Sequence, residues 1–349
     1  MTSIFWDIGT GYDFFISLSV LHHAGDFGLR PSWAAGVRQR LSQPKREFLE
    51  KISSFTLTPL HWIASLPTNK NATDVLQAIA NVPAAERLPA LTLTNEASRG
   101  TRQLLERIAS RGKWNQSDQD FLRQNYRRRD ELLKPKALNN LLDCWSNPST
   151  CGEMYLASLK EYYQVFFAEE ETRITPVLMN GLENAKDISR NLSLDRLIDR
   201  LSLGIHIADL GQVAEITLVP SYWSTPLVFI ARPEAGKMLL LFGVRPEGES
   251  IVHGTDVPDL LVNTLKSLAD PTRLRILRYL AREPLTPSGL AQRLRLRPPT
   301  VIHHLQSLRL AGLVQITISE NNERAYAARL DALDEINLAL RDFILLCAA

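Results

Sequence analysis

Residues 268–314, "LADPTRLRILRYLAREPLTPSGLAQRLRLRPPTVIHHLQSLRLAGLV", decide how the chain folds at its C-terminal end. Asp270 stands where a side chain can accept from the free N–H groups of a helix start, and Pro271 takes the first helical position. Leu274, Leu277 and Leu280 then give that helix an apolar face. Thr286 and Pro287 repeat the device, with Leu290, Ala291 and Leu294 as the buried side. Only Arg295, Leu296 and Arg297 separate this helix from the next, which buries Val301, Leu305 and Leu308 and stops at Gly312. Two short helices joined by so tight a turn form a helix-turn-helix.

Working outward, residues 313–330, "LVQITISENNERAYAARL", read as a hairpin: β-branched residues alternate as far as Ser319, Glu320 to Glu323 turn, and Arg324 to Leu330 return. Such a hairpin is a wing. Residues 331–346, "DALDEINLALRDFILL", carry Leu333, Ile336, Leu340, Phe343 and Ile344 on one stripe, too apolar to stay exposed on a monomer. This helix is expected to dock against a second subunit. Charge singles out the same region. Val257 to Leu330 hold 11 Lys/Arg against 5 Asp/Glu, a net of +6, so with +2 for the whole chain the remainder stands at −4. Between Thr286 and Leu313 there is no acidic residue, only Arg293, Arg295, Arg297 and Arg309, the footprint of a surface that meets phosphate.

In "SLADPTRLRILRYL", "LTPSGLAQRL", "PPTVIHHLQSLRLAGLV" and the wing, the last quarter of the chain resembles the ArsR-type winged helix-turn-helix transcription regulators. The resemblance implies a homodimer whose two recognition helices enter successive major grooves of a palindromic operator on double-stranded DNA. Many such regulators sense metal through a Cys-x-Cys before the recognition helix, or through Asp/His and His/Glu pairs on the last helix. Here "LTPSGLAQRL" has neither Cys nor His, and the last helix offers Asp331, Asp334 and Glu335 without a histidine, so no regulatory metal is expected. Arg297, Pro298, Pro299 and Ile302 also replace the small or amide residues usual at the recognition helix start. Thr300, His303 and Gln306, opposite Val301, Leu305 and Leu308, remain as base readers. Arg295, Arg297 and Arg309 are expected at phosphates, Arg324 near the wing tip at the minor groove, and His304 packed.

The first 244 residues read as a helical regulatory or assembly domain, with "NATDVLQAIANV", "QSDQDFLRQNYRRRDELLKPKALNNLLDCW" and "EMYLASLKEYYQVFFAEEETRITPVLMNGLENAKDIS" at helical spacing. Its prolines, Pro89 among them, fall at or near the expected helix starts and turns. The aromatic stripe Tyr155, Tyr162, Tyr163, Phe166 and Phe167 is expected in a core, and Glu169, Glu170 and Glu171 on a solvated face. "VAEITLVP", "PLVFIAR" and "KMLLLFGV" predict a small antiparallel sheet over residues 213–244, followed by a linker at 245–256 and the winged helix from 257 to 349. The fold class is therefore mainly α, with an α+β winged helix. "SWAAGVRQRL", "FFAEEETRITPVL" and "LVPSYWSTPLVF" resemble a helical domain fused ahead of ArsR-type winged helices in longer bacterial regulators, which implies an unnamed small-molecule effector or a part in assembly.

Asp7-Ile8-Gly9-Thr10-Gly11 matches the phosphate turn of actin-like ATPases, but "ADLGQVAE", with Asp209 and Gly211, makes a poor second loop, and the glycines are expected to turn the chain into its first helix. No other catalytic motif or dinucleotide fingerprint is present, so neither enzyme activity nor a cofactor is expected. An ATP-dependent enzyme, or a winged helix used only for protein contacts, stands as the alternative. Cys144, Cys151 and Cys347 are too few for a disulfide framework. With no signal peptide and no apolar run long enough to span a bilayer, a cytoplasmic protein without membrane contact is expected.

Overall fold

A computed structural model of the chain describes residues 2–67, 70–93, 97–125, 127–128, 131–132, 134–208, 210–246, 249–251, 257–318 and 323–346. Helices dominate. The chain runs β1 (Ser3–Trp6), α1 (Thr10–His22), α2 (Pro31–Arg38), α3 (Gln43–Ser53), α4 (Leu60–Ser65), α5 (Ala72–Asn81), α6 (Ala84–Thr92), α7 (Arg99–Arg111) and α8 (Gln116–Asn125). Next come β2 (Arg127–Arg128), β3 (Glu131–Leu132), α9 (Pro135–Ser146), α10 (Pro148–Tyr162), a π-helical turn (Tyr163–Phe167), α11 (Ala168–Ser189) and α12 (Leu194–Ser202). Four strands follow: β4 (Ile205–Ile207), β5 (Glu215–Ser221), β6 (Phe229–Ala231) and β7 (Lys237–Gly243). The C-terminal part comprises α13 (Asp259–Leu268), α14 (Pro271–Leu280), α15 (Pro287–Leu294), α16 (Pro298–Leu310), β8 (Val314–Ile318), β9 (Arg324–Ala328) and α17 (Asp331–Leu346).

The sheet expected to be antiparallel is mixed and mostly parallel. Its order is β1-β5-β7-β6, with β1 parallel to β5, β5 parallel to β7, and only β6 antiparallel to its neighbour. The reason lies in burial. Met238 to Phe242 are all buried, so β7 needs cover on both faces and takes a central place, while the half-buried β6 returns along its outer edge. Val219, Leu239 and Leu241 face the large helical core built on α1, α5 and α10. Ile216, Leu218, Met238, Leu240 and Phe242 face a second cluster with Leu197 and Ile198 of α12.

Other expectations are corrected locally. The helical run read through residues 116–145 breaks after Asn125 into the two-stranded β2–β3 pair. Pro89 sits inside α6 rather than at its start. Leu274 is exposed; three-residue steps lag the helical turn, so Leu280 is joined in the core by Ile276 instead. Glu170 is buried against Arg173 at 2.6 Å and Glu171 is drawn inward by hydrogen bonds, leaving Glu169 alone of the three on the solvated side. The aromatic stripe divides: Tyr155, Tyr162, Phe166 and Phe167 are core, whereas Tyr163 is half-buried. Cys144 and Cys151 are buried free thiols. Cys347, Asp209, the wing turn at 319–322 and linker residues 247–248 and 252–256 lie outside the described residues. No helix among the described residues is long and apolar enough to cross a membrane.

Candidate nucleic-acid interface

The C-terminal helices form where their caps start them. Asp270 Oδ1 accepts from the N–H groups of Thr272 (2.8 Å) and Arg273 (3.0 Å), and these bonds hold its carboxyl below the usual carboxylate range. Thr286 Oγ1 accepts from Gly289 N–H at 3.2 Å at the start of α15. α15 ends on Arg295, whose φ of 56° is the left-handed conformation usually left to glycine. The Leu296 N–H closes that cap on the Ala291 carbonyl at 3.0 Å, and its side chain packs on the core of this part. Ile276, Leu280, Leu290, Leu294, Val301, Leu305 and Leu308 fill that core.

α13, not foreseen as a helix, fixes the recognition helix from behind. Thr264 Oγ1 donates to the Ala311 carbonyl at 3.1 Å and Ser267 Oγ to the Ser307 carbonyl at 3.2 Å. With Val301, Leu305 and Leu308 turned inward, α16 exposes Thr300, His303 and Gln306 together, beside Ile302. Arg295 and Arg297 are exposed at the turn leading into this face, and Arg324 is exposed at the start of β9. Arg293 is tied to Glu283 at 2.5 Å. Arg309 departs from expectation. It is half-buried at the last turn of α16, where burial, with Arg324 nearby and against the influence of Tyr326, pulls its pKa down to about 10, so it stands back from the exposed arginines. His304 is half-buried behind His303, with burial lowering its pKa. On α17, Leu333 and Ile344 are exposed, as are Leu338 and Leu345, whereas Ile336, Leu340 and Phe343 are half-buried.

Two connections to the N-terminal part escaped sequence reasoning. β4 pairs parallel with β8, so the wing hairpin is a three-stranded sheet ordered β4-β8-β9. The Ile316 N–H donates to the Gly204 carbonyl at 2.9 Å, and the Ala208 N–H to the Ile318 carbonyl at 3.0 Å. Ile205 and Ile207 of β4 are buried in the cluster behind the main sheet, and Ile318 packs on it too. A strand of three residues carries too little pattern to be read in advance. The other connection is polar. Arg173 of α11 donates to the Tyr222 hydroxyl (2.7 Å), which donates to Glu249 (2.8 Å), and Asp259 at the start of α13 accepts from Ser250 Oγ and Ile251 N–H (2.7 and 3.0 Å).

The Asp7–Gly11 turn has another use. Asp7 Oδ2 accepts from Lys70 Nζ at 2.6 Å and from the Tyr12 hydroxyl at 2.7 Å, and Oδ1 from the Ile8 N–H at 2.9 Å. The Gly11 N–H donates to the Lys70 carbonyl at 2.8 Å. A Cβ on Gly9 would stand 2.3 Å from that carbonyl oxygen, so the glycines admit the Lys70 backbone as well as opening α1.

Residues 270–315 match the family model described as bacterial regulatory protein, arsR family. No curated protein and no solved structure matches the chain. The matched segment spans α14, α15 and α16 and enters β8, the elements that build the exposed Thr300–His303–Gln306 face. The C-terminal part of the chain accordingly carries an arsR-family helix-turn-helix, the DNA-binding element of a transcription regulator.

Proposed function

We propose that the protein is a homodimeric repressor in which residues 257–349 read a palindromic operator and residues 1–244 regulate or extend that dimer. The observation that carries the reading is the acid-free outer face of α16, where Thr300, His303 and Gln306 stand exposed, with Arg295, Arg297 and Arg324 exposed as well. Gln306 has the amide that pairs bidentately with adenine, and Thr300 can bond a base or a phosphate. Arg295 and Arg297 supply affinity without sequence information, and Arg324 suits a narrow minor groove. Support for a dimer comes from α17, where Leu333 and Ile344 are exposed on the apolar stripe and Leu338 and Leu345 are exposed outside it, with Leu265 of α13 exposed as well.

Control would run through population shift. Two arrangements of the winged helix, docked differently, would stand in balance, and a molecule that prefers one of them would change operator affinity by that preference. β4 on the wing edge, and the Arg173–Tyr222–Glu249 chain leading into α13, are the physical links on which such a shift can act. The Asp7–Gly11 turn lends the ATPase alternative no support, since its carboxylate is taken by Lys70 and Tyr12.

Hydroxyl-radical footprinting of the full chain on DNA from its own upstream region tests the proposal. Two protected backbone segments, one for each half-site and about 34 Å apart, are expected. Absence of protection on any upstream fragment, with the purified protein folded, would overturn the DNA reading and favour a winged helix used for protein contacts.

A further inference from the structure

Between the Asp7–Gly11 turn, the start of α5 and the length of α11 lies a cavity of about 620 Å³. That is the size of a small-molecule site. Its apolar wall is Ile8, Leu178, Met179 and Leu182. Its polar end is built around Glu171. The carboxylate accepts from the Thr10 hydroxyl and from the Ala72 N–H (2.9 Å) through Oε1, and from the Tyr163 hydroxyl (2.8 Å) through Oε2. Tyr163 is brought there by the π-helical turn between α10 and α11, a widened turn of the kind that recurs at functional sites.

The charges decide what fits. Lys70 lines the cavity, but Asp7 neutralises its ammonium at 2.6 Å. Glu183 at the rim pairs with Lys186 at 2.8 Å. Among the described residues no Lys, Arg or His lies within ion-pair distance of Glu171, whose hydrogen bonds all come from neutral donors. The cavity therefore keeps one unit of negative charge at the end of an apolar trough. An anion would meet this charge and find the lysine already taken. A neutral ligand would leave it without a counter-charge, whereas an ammonium brings that counter-charge and can also rest against the Tyr163 ring.

We infer that this cavity is a binding site for a small organic cation, an amine whose ammonium meets Glu171 and whose apolar body lies along Leu178, Met179 and Leu182. As a binding site it stands on the cavity alone; as the effector site of the regulator it rests on the reading above. The pocket wall is suited to that use, because α11 also carries Arg173, which bonds Tyr222 and so reaches Glu249 of the linker.

The test uses three probes with one carbon skeleton, 4-phenylbutylamine, 4-phenylbutan-1-ol and 4-phenylbutanoate, titrated calorimetrically into the full-length protein. The amine is expected to bind one per chain, at least tenfold tighter than the alcohol, with no binding by the carboxylate. Glu171→Gln should weaken the amine at least tenfold. Met179→Arg, at an exposed position on the cavity wall and outside the hydrogen-bond cluster, should do the same without disturbing the fold. No binding by the amine, equal binding of amine and alcohol, preference for the carboxylate, or full amine binding in Met179→Arg would each overturn the site. Operator binding with the amine at saturation is read separately. A change in affinity of threefold or more supports the regulatory role, and an unchanged affinity overturns that role while leaving the site.

Discussion

Replacing Arg297 with alanine should change how DNA binding responds to salt, by an amount that follows from the interface. Arg295, Arg297 and Arg324 are exposed near the recognition helix, Arg293 is exposed but tied to Glu283, and Arg309 is recessed. In a dimer each of these arginines, Arg295 and Arg297 at phosphates and Arg324 in the minor groove, displaces about one counterion from the DNA, about six in all, so the slope of log affinity against log salt is about −5.4. Raising salt from about 50 to 200 mM then weakens binding about 10³-fold. Arg297→Ala removes two contacts per dimer, brings the slope to about −3.6 and the loss to about 10²-fold. Arg309→Ala, at a recessed position, should leave the slope unchanged. Fluorescence anisotropy of a labelled fragment, titrated at four or five salt concentrations, measures all three slopes. An unaltered slope in Arg297→Ala, or a fall in Arg309→Ala equal to that expected for Arg297→Ala, would refute the assignment of phosphate contacts.

Three further outcomes are expected. Arg295→Gly should raise stability by up to about 1 kcal/mol in guanidinium titration, by relieving the left-handed backbone, while weakening DNA binding; weaker stability would contradict the strain. Gly204→Ala should cost about 1–2 kcal/mol, because φ is +96° there and a Cβ would approach Gln315 and Arg329 at 3.0 and 3.1 Å, and should alter operator affinity if β4 sets the wing; unaltered affinity in a destabilised variant would separate β4 from the wing's function. pH reports on two buried groups of opposite sign. Burial lowers the His22 pKa to about 4, so its contribution is present above about 6.5 and lost on acidification towards 4, while burial raises that of Asp13 to about 6 despite bonds from Ser221, Tyr222 and Trp223, so its contribution is present at low pH and lost as pH rises from about 3.8 to 6. Each amounts to about 3 kcal/mol and they oppose one another between about pH 4 and 6. Relative to the parent, His22→Gln should therefore gain stability as pH falls from 6.5 to 4, and a parallel pair of denaturation curves would refute this.

How much was legible in the sequence followed the range of the interactions. Asp270, Pro271, Thr286 and Pro287 act within one helical turn, so the starts of α14 and α15 could be read from neighbours alone, as could the inward side of α16. The main sheet could not, because β1 pairs with β5 more than two hundred residues away, and parallel pairing leaves no turn signature. Glu170 and Glu171 looked like a solvated run because their partners, Arg173 and Tyr163 apart, come from Thr10 and Ala72 across the fold. Arg309 shares its charge with Arg297, but only packing against the wing distinguishes a recessed guanidinium from an exposed one.

The measurement that tests the central claim most directly is a competition at about 150 mM salt between one fragment of the protein's own upstream DNA and its scrambled counterpart. Specific regulators bind their sites typically about 10³-fold or more tighter than other sequences. The account predicts that one upstream fragment resists scrambled competitor by that margin, and that Gln306→Ala erodes the margin without changing the salt slope. Equal displacement by both sequences for every upstream fragment would contradict it.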